Sequence, residues 1–170
     1  MPYIRAAAAT AARTGLPAMR PLCLVDPRDP DAWEIADSYM LGPALWVAPV
    51  LDEGARARTA YLPRGDWICW WTGERRAGGR WIEADAPLDR IPMWVREGSV
   101  IVAYPDDEVR EGLGEEDPRR RIEATLWGEP ALGRARADLA DGTVVRWGRS
   151  GWAVTPDRPL RSAYAPGRSA

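Results

Sequence analysis

Acidic side chains are the first candidates for chemistry in this sequence, because two runs of adjacent acids occur in it. They are Asp106, Asp107 and Glu108, and Glu115, Glu116 and Asp117. Paired carboxylates serve as general acid and base when their surroundings push their pKa values apart. These runs lie on a Gly-flanked loop where nothing is expected to desolvate one of the acids and raise its pKa. We therefore interpret them as the exposed face of a linker and not as a catalytic pair.

Histidine is absent from the sequence, and its absence excludes several kinds of site. Neither a Ser-His-Asp or Cys-His arrangement nor a His-ligated metal site can be built without it. The two cysteines, Cys23 and Cys69, are too few and too far apart for a zinc cluster or a disulfide framework. Each lies in a strand-like apolar run (22–25 and 67–71), so we expect small buried thiols. The sequence indicates no metal and no cofactor.

Tryptophan is the other residue type of interest, with 10 Trp and no Phe in the chain. Planar aromatic rings stack on sugar faces in carbohydrate-binding modules, and five Trp lie on predicted strands: Trp67, Trp70, Trp71, Trp81 and Trp94. The apolar residues from 67 to 71 do not alternate, so some of these rings must point inward. Without Phe, Trp must also fill core volume. Core packing is the favoured interpretation, and a sugar-binding platform is the alternative.

Composition places the chain among folded proteins and narrows its partners. The sequence has 170 residues, is 46% hydrophobic and carries a formal net charge of −2, which predicts neither a nucleic acid nor an anionic membrane as partner. No apolar run approaches the roughly 20 residues of a membrane span. Residues 1–15 are too weakly apolar for a secretory signal, so the cytoplasm is only the default location.

The first fifty residues alternate between helix and strand signals. Pro2 suits the first turn of a helix that Gly15 ends, and residues 17–25 read as a short buried strand. In the loop that follows, Asp29 can cap a helix that begins at Pro30 and runs to about residue 36. One strand with its flanking helices cannot form a core, and the first helix looks cut instead of started. We therefore expect this stub to need a partner outside the sequence.

From residue 45 onward, short runs of β-forming residues recur every 8–12 residues, which is typical of an antiparallel sandwich. The predicted strands are 45–51, 59–62, 67–71, 80–83, 91–96 and 100–104. An acidic connection follows. Beyond it, 121–127 and 152–155 are predicted strands, and 134–139 and 143–147 form a hairpin around a two-residue turn, Asp141-Gly142. Residues 165–170 are expected to fray.

Five segments, in order, resemble glycoside hydrolase family 31. They are 1–4 (Leu-Pro-Tyr-Leu in the family), 15–22 (Gly-x-Pro-x-Met-Arg-Pro-Leu), 37–43 with 47–50 (Asp-x-Gln-Tyr-Met-Leu-Gly and Val-Ala-Pro-Val), 61–67 with 71–73 (Tyr-Leu-Pro-x-Gly-x-Trp and Trp-Thr-Gly), and 86–92 with 95–99. The third segment is one residue shorter than in the family and lacks the Gln. The resemblance covers about residues 1–104, with a looser likeness beyond.

In that family a (β/α)8 barrel carries an Asp nucleophile and an Asp acid/base, and two C-terminal β domains follow it. The resemblance implies that residues 1–50 are the remnant of the last barrel β/α unit and 51–104 the proximal β-sandwich. It further implies a linker over 105–118 and a partial distal β domain over 119–165. The expected fold class is mainly β, an antiparallel β-sandwich with a partial distal β domain, preceded by a short α/β stub of a truncated (β/α)8 barrel.

Neither catalytic segment of the family, Trp-x-Asp-Met-x-Glu or His-Trp-x-Gly-Asp, occurs here. Retaining hydrolysis needs two carboxyl groups about 5–5.5 Å apart. The resemblance therefore implies no catalytic and no substrate-binding residue in this chain, and contact with an α-linked glycoside only through the missing barrel. Only the loop after Leu22 could approach a sugar, through Asp26 or Arg28, and a solvated loop is the alternative. Arg20 is expected to pair with a buried carboxylate, with substrate contact as its alternative.

Two functions from different classes fit these expectations. The first is the C-terminal fragment of an α-glucosidase or α-xylosidase, inactive by itself. The second is a free-standing, non-catalytic β-sandwich that binds carbohydrate or a partner protein. The stub favours the first hypothesis, because a truncated enzyme must carry the last barrel helix and strand, whereas a binding module does not need them. The exposed surface of that stub, with Ile4, Leu22 and Leu24, predicts poor solubility of the isolated chain.

Overall fold

The computed structural model describes residues 1–105, 121–129, 135–148, 151–155 and 160–164, with the backbone alone for 161–164. Within these ranges the helices and strands are, in chain order, α1 (Pro2–Thr14), β1 (Met19–Pro21), α2 (Leu22–Val25), α3 (Asp31–Glu34), β2 (Tyr39–Leu41), β3 (Leu45–Val47), β4 (Ala57–Leu62), β5 (Asp66–Cys69), β6 (Arg75–Ala77), β7 (Arg80–Asp85), β8 (Met93–Arg96), β9 (Ser99–Ala103), β10 (Ile122–Trp127), β11 (Arg136–Asp138), β12 (Val144–Gly148), β13 (Gly151–Thr155) and β14 (Leu160–Tyr164).

Helix α1 forms where the sequence predicts it. Pro2 occupies its first turn, and the helix ends at Gly15, whose φ of 76° lies in the left-handed region that glycine tolerates best. The buried Tyr3 ties this helix to the sheet below. Its hydroxyl donates to the backbone oxygen of Leu41 at 2.7 Å and accepts from the backbone N–H of Ala44 at 3.0 Å. The helix is therefore anchored by a polar contact as well as by apolar burial.

The main sheet has six strands in the order β1-β2-β3-β8-β5-β6, and all its pairings are antiparallel. The expected barrel stub is not visible. Strand β1 is an edge strand that pairs antiparallel with β2, whereas a barrel strand has parallel neighbours on both sides. The sheet draws strands from both sides of residue 50, and the four-part division of the chain stays a prediction.

The predicted strand over 17–25 is wrong in its second half. Residues 22–25 form the single helical turn α2, closed by a hydrogen bond of 3.0 Å from the Asp26 N–H to the Leu22 oxygen. This turn rotates successive side chains by about 100° instead of alternating them. Leu22 is consequently fully buried, so the expectation that it is exposed is wrong. Leu24 and Ile4, which were expected on the same surface, are 51% and 44% exposed.

The second layer of the sandwich is the antiparallel pair β4–β7, which lies over the main sheet. On β7, Ile82 and Ala84 point into the core while Trp81, Glu83 and Asp85 face outward. Between the layers lies one apolar cluster to which both sheets contribute; its large members include Met40, Trp46, Tyr61, Leu62, Trp67, Ile82 and Trp94. Burial of a large apolar side chain stabilises a fold by about 1.5–3 kcal/mol, so this cluster is the main support of the sandwich.

Strand β9 is shared between two hydrophobic cores. Ile101 packs in a cluster with Tyr3, Leu45 and Val95, on the side of the main sheet. Val100 and Val102 pack in a third cluster, with side chains from β10 and β12. The alternation of a strand places neighbouring residues on opposite faces. This five-residue strand therefore joins the sandwich to the sheets that follow it.

The strands beyond β9 form two small sheets, β14-β10-β9 and β11-β12-β13. Strands β10 and β14 run parallel, whereas the other pairs are antiparallel. With antiparallel pairs predominating, the mainly β fold class predicted from the sequence is confirmed. The acidic runs, most of the predicted linker and residues 165–170 lie outside the described residues.

The predicted hairpin is present, but its turn differs. Leu139 N–H donates to Thr143 O at 2.8 Å, so the loop holds three residues, with Gly142 in the last position at φ 85°. Asp141 does not take a positive φ. A three-residue loop with glycine in the left-handed region is the next most common hairpin connection after the two-residue turns. The Asp141 carboxylate accepts instead from the Thr143 N–H at 2.9 Å.

Candidate functional site

The loop after α2 is the part of the stub that the sequence singled out. Asp29 lies in it, 1% exposed, and its backbone N–H donates to Asp26 O at 3.1 Å. The expectation that its side chain caps α3 is wrong, because Pro30 holds the N-cap position and no side-chain bond caps that helix. The Asp29 carboxylate instead accepts from the Tyr61 hydroxyl at 2.6 Å. The buried acid is thus satisfied from β4 and not from its own loop.

Arg64 completes this cluster. Its guanidinium lies 3.7 Å from the Asp29 carboxylate and 3.8 Å from that of Asp26. Burial and the hydrogen bond to Asp29 raise the pKa of the Tyr61 hydroxyl, so the phenol stays protonated and remains the donor. The exposed Arg28 contributes its backbone N–H to Asp26 at 3.3 Å. We name this set, Asp26, Asp29, Tyr61 and Arg64, the Asp29 cluster.

Arg96 lies next to the Asp29 cluster. Its guanidinium carbon is 4.6 Å from the ring centre of Trp67, and its Nη1 donates to Arg64 O at 3.4 Å. Burial lowers the pKa of Arg96, and the charge of Asp26 opposes that shift. A cation over a Trp face is stabilised by about 0.5–2 kcal/mol, more when water is excluded. Arg96 is therefore held by an aromatic ring and a backbone oxygen.

The Asp29 cluster is suited to hold a loop and not to transfer protons. A general acid must offer its proton to a leaving group within hydrogen-bond reach. Asp29 is buried and already accepts from Tyr61, so it has no access to a substrate oxygen. Asp26 is partly exposed and Arg28 is exposed, so solvent reaches both of these loop residues. The absence of catalytic and substrate-binding residues from this chain stays a prediction.

Arg58 and Asp37 form a second polar contact, which joins the segment around Asp37 to β4; we name it the Arg58–Asp37 clamp. Arg58 forms an ion pair with the Asp37 carboxylate and donates to the backbone oxygens of Asp37, at 3.1 Å, and of Pro49. Sequence reasoning missed this clamp. Asp37 begins one of the family-like segments, and that is the only signal that could have marked it. The clamp fixes the chain between α3 and β4.

Arg20 lies on β1, half-buried, and its Nε donates to Pro17 O at 2.9 Å. Within the described residues it has no carboxylate partner, so the expected buried ion pair stays a prediction. The thiols of Cys23 and Cys69 are free and only partly buried, which corrects the expectation of fully buried cysteines. Cys23 lies on the helical turn α2 and not on a strand.

The five Trp of the predicted strands divide between core and surface. Trp67 and Trp94 are buried in the main core, and Trp70 is stacked on Trp127 at 4.9 Å. Trp71 and Trp81 are 39% and 54% exposed. Core packing is therefore confirmed for Trp67, Trp70 and Trp94. Trp71 and Trp81 expose aromatic surface to solvent.

No helix in the described ranges is long and apolar enough to cross a membrane. Across the same ranges, the structure contains no group of three or more Cys, Asp or Glu side chains placed to hold a metal ion.

Known proteins that match this chain carry glycosidase and transglycosidase names. The isomaltosyltransferase of Sporosarcina globispora is 41% identical over 101 residues, which cover 59% of this chain and 9% of that protein. Alpha-glucosidase 2 of Bacillus thermoamyloliquefaciens is 34% identical over 101 residues, 59% of this chain and 13% of that protein. The chain thus spans about a tenth of the length of these relatives.

The structural likeness extends further along the chain. The α-xylosidase of Xanthomonas citri, a family 31 enzyme, matches 99% of this chain and 20% of its own length, with 25% identity and a TM-score of 0.77. The family model described as the glycosyl hydrolase family 31 C-terminal domain matches residues 15–101, about half of the sequence. The chain therefore belongs to glycoside hydrolase family 31, as a C-terminal domain of that family.

Proposed function

We propose that this chain is the C-terminal β portion of a retaining α-glycosidase that hydrolyses terminal α-glucosides or α-xylosides. The observation that carries the proposal is the match of residues 15–101 to the C-terminal domain of family 31. The relatives named an α-glucosidase and an α-xylosidase supply the two substrate classes.

The catalytic carboxylates of this proposal belong to a barrel outside the 170 residues. Retaining hydrolysis needs a nucleophile and an acid/base about 5–5.5 Å apart. Asp29, which is buried, is engaged by Tyr61 and Arg64. The role proposed for the chain is thus to support a catalytic barrel mechanically.

The test begins with the DNA immediately upstream of Met1. An in-frame coding region with the two Asp segments should yield a longer protein that hydrolyses 4-nitrophenyl α-glucoside or α-xyloside with retention of configuration, while the 170-residue chain by itself should be inactive. Hydrolysis by the 170-residue chain would contradict the proposal. So would a stop codon upstream of Met1 that is followed by a functional promoter and ribosome-binding site, which would instead favour a free-standing carbohydrate-binding module.

A further inference from the structure

A cavity of about 180 Å³ lies beside the turn that follows β5. Its walls come from that turn, from β6 to β8, and from the segment between β7 and β8. The side chains that matter for its chemistry are Trp71, Arg76, Glu83, Asp85, Arg90 and Trp94. It is separate from the Asp29 cluster, with which it shares no residue.

Trp71 gives this cavity an accessible aromatic surface. The indole is 39% exposed, yet its Nε1 donates to Ile91 O at 2.8 Å. The Arg90 guanidinium lies 5.5 Å from its ring centre. The hydrogen bond fixes the ring in one orientation, so a ligand that packs on it does not have to immobilise it. Fixed, accessible aromatic rings are suited to the C–H face of a sugar ring.

Glu83 and Asp85 supply hydrogen-bond acceptors to the lining of the cavity. They face outward, two residues apart on β7, and their carboxylates make no hydrogen bond or ion pair within the described part of the chain. Ionised carboxylates accept strongly from hydroxyl groups. Two unengaged carboxylates at the rim of an aromatic cavity therefore suit a ligand rich in hydroxyl donors.

Arg76 supplies hydrogen-bond donors to the same lining. Its Nε pairs with Glu74 at 2.6 Å, and its guanidinium lies 5.5 Å from the ring centre of Trp94. The cavity therefore carries three acids, Glu74, Glu83 and Asp85, and two cations, Arg76 and Arg90. This near balance favours neither a highly charged anion nor a cation. A neutral ligand that both donates and accepts hydrogen bonds fits it best.

We propose that this cavity binds one pyranose ring of a neutral saccharide, stacked on Trp71, with hydroxyl groups donating to Glu83 and Asp85 and accepting from Arg76. Its volume is below the roughly 300–1,000 Å³ of most small-molecule sites, so it holds a single sugar unit at the end of a chain or exposed along it. The site binds without hydrolysing, and it does not rest on the proposed function.

The experiment is a titration of the ¹⁵N-labelled 170-residue chain with isomaltose and with methyl α-xyloside. The reporter is the indole N–H resonance of Trp71, identified by its loss in Trp71→Phe. It should shift in a saturable way with at least one of the two sugars. The indole of Trp33, 62% exposed and hydrogen-bonded to Pro27 O but outside the cavity, serves as the control and should not shift.

Two variants test the roles of ring and carboxylates. Trp71→Ala should weaken binding about tenfold or more, read from the sugar's saturation-transfer signals. Glu83→Gln with Asp85→Asn, both at exposed positions, should also weaken binding while the remaining resonances keep their positions, which shows an intact fold. Trp33→Ala should leave affinity unchanged. No shift of the Trp71 indole up to the solubility limit of both sugars, equal shifts of Trp33 and Trp71, or unaltered affinity in the double variant would overturn the proposal.

Discussion

Tyr61 is the residue on which the Asp29 cluster depends, since its hydroxyl is the donor to a carboxylate that is only 1% exposed. Tyr61→Phe removes that donor and leaves a buried acceptor without it. We expect the free energy of unfolding to fall by about 1–3 kcal/mol, measured by urea denaturation at neutral pH. Tyr39→Phe is the matched control, because the Tyr39 hydroxyl makes no hydrogen bond within the described residues. Equal losses in the two variants would contradict the assigned role.

The same residue predicts a pH dependence. Its pKa is raised in the folded chain above the ordinary value of 10.0, by burial first and by the hydrogen bond to Asp29 second. The folded state therefore binds the proton more tightly than the unfolded state. The stability from this group is fully present below pH 10 and is lost as pH rises above it. The difference in the free energy of unfolding between the native chain and Tyr61→Phe should stay constant up to about pH 10 and narrow as the pH is raised beyond it. A difference that stays constant above pH 10 would refute this linkage.

For single residues, the sequence indicated which side chains matter better than it indicated which partners they contact. The Asp29 side chain was assigned to its own helix start, because a cap is a local interaction and local signals are what a sequence displays. Its actual partner, Tyr61, is 32 positions away, and only the folded sheet brings the two together. The Arg58–Asp37 clamp, 21 positions apart, was missed for the same reason.

Among the elements, the β6–β7 turn is packed tightly against the segment between β4 and β5. The Gly78 N–H donates to Gly65 O at 2.7 Å, and a Cβ at Gly78 would overlap the backbone oxygen of Pro63. Backbone cannot move aside as a flexible side chain can, so Gly78→Ala should lower stability by about 1–3 kcal/mol or more. Gly148→Ala is the control, because a Cβ there meets nothing within 4 Å. Thermal unfolding followed by circular dichroism measures both, and a Gly78→Ala midpoint as high as that of the control would contradict the clash.

The elements that the sequence predicted best are those long enough to show a pattern. Strands β4, β7 and β9 have five or six residues each and were predicted near their true positions. Strands β2 and β6 have three residues, too few to show alternation, and were not predicted. The turn α2 looked like a strand, because four consecutive apolar residues carry no period that separates the two structures.

For the whole molecule, the sharing of β9 between two cores predicts cooperative unfolding. Ile101→Ala opens a cavity on the side of the main sheet and should cost about 2–5 kcal/mol, while Val102→Ala opens one on the other side and should cost about 2 kcal/mol. Both should lower the midpoint of one and the same calorimetric transition. Thr155→Ala, at an exposed position, is the control and should shift it little. Two separate transitions, of which each variant moves only one, would contradict this coupling.

At the scale of the chain, motif order predicted the family, and the family match over residues 15–101 confirms it. The expected barrel stub is not visible in the fold, although the order of its elements, helix, strand, helix, is that of a barrel unit. Only pairing direction separates the two folds: β1 runs antiparallel to β2. A sequence states which segments can be strands, but strand direction depends on long-range pairing.

The two faces of β9 also decide where this protein can be shortened. A truncation after residue 104 would remove β10, the strand that pairs with β9 from Ser99 to Ala103. Val100 and Val102 would then face water, and β9, already the last strand of its sheet, would lose the strand it pairs with. Its N–H and C=O groups would be left unpaired on both sides, a template for strand-to-strand aggregation. A shortened version that keeps the sandwich must therefore retain β10. Otherwise both valines must be replaced with charged residues, whose repulsion prevents β9 of one molecule from pairing with β9 of another.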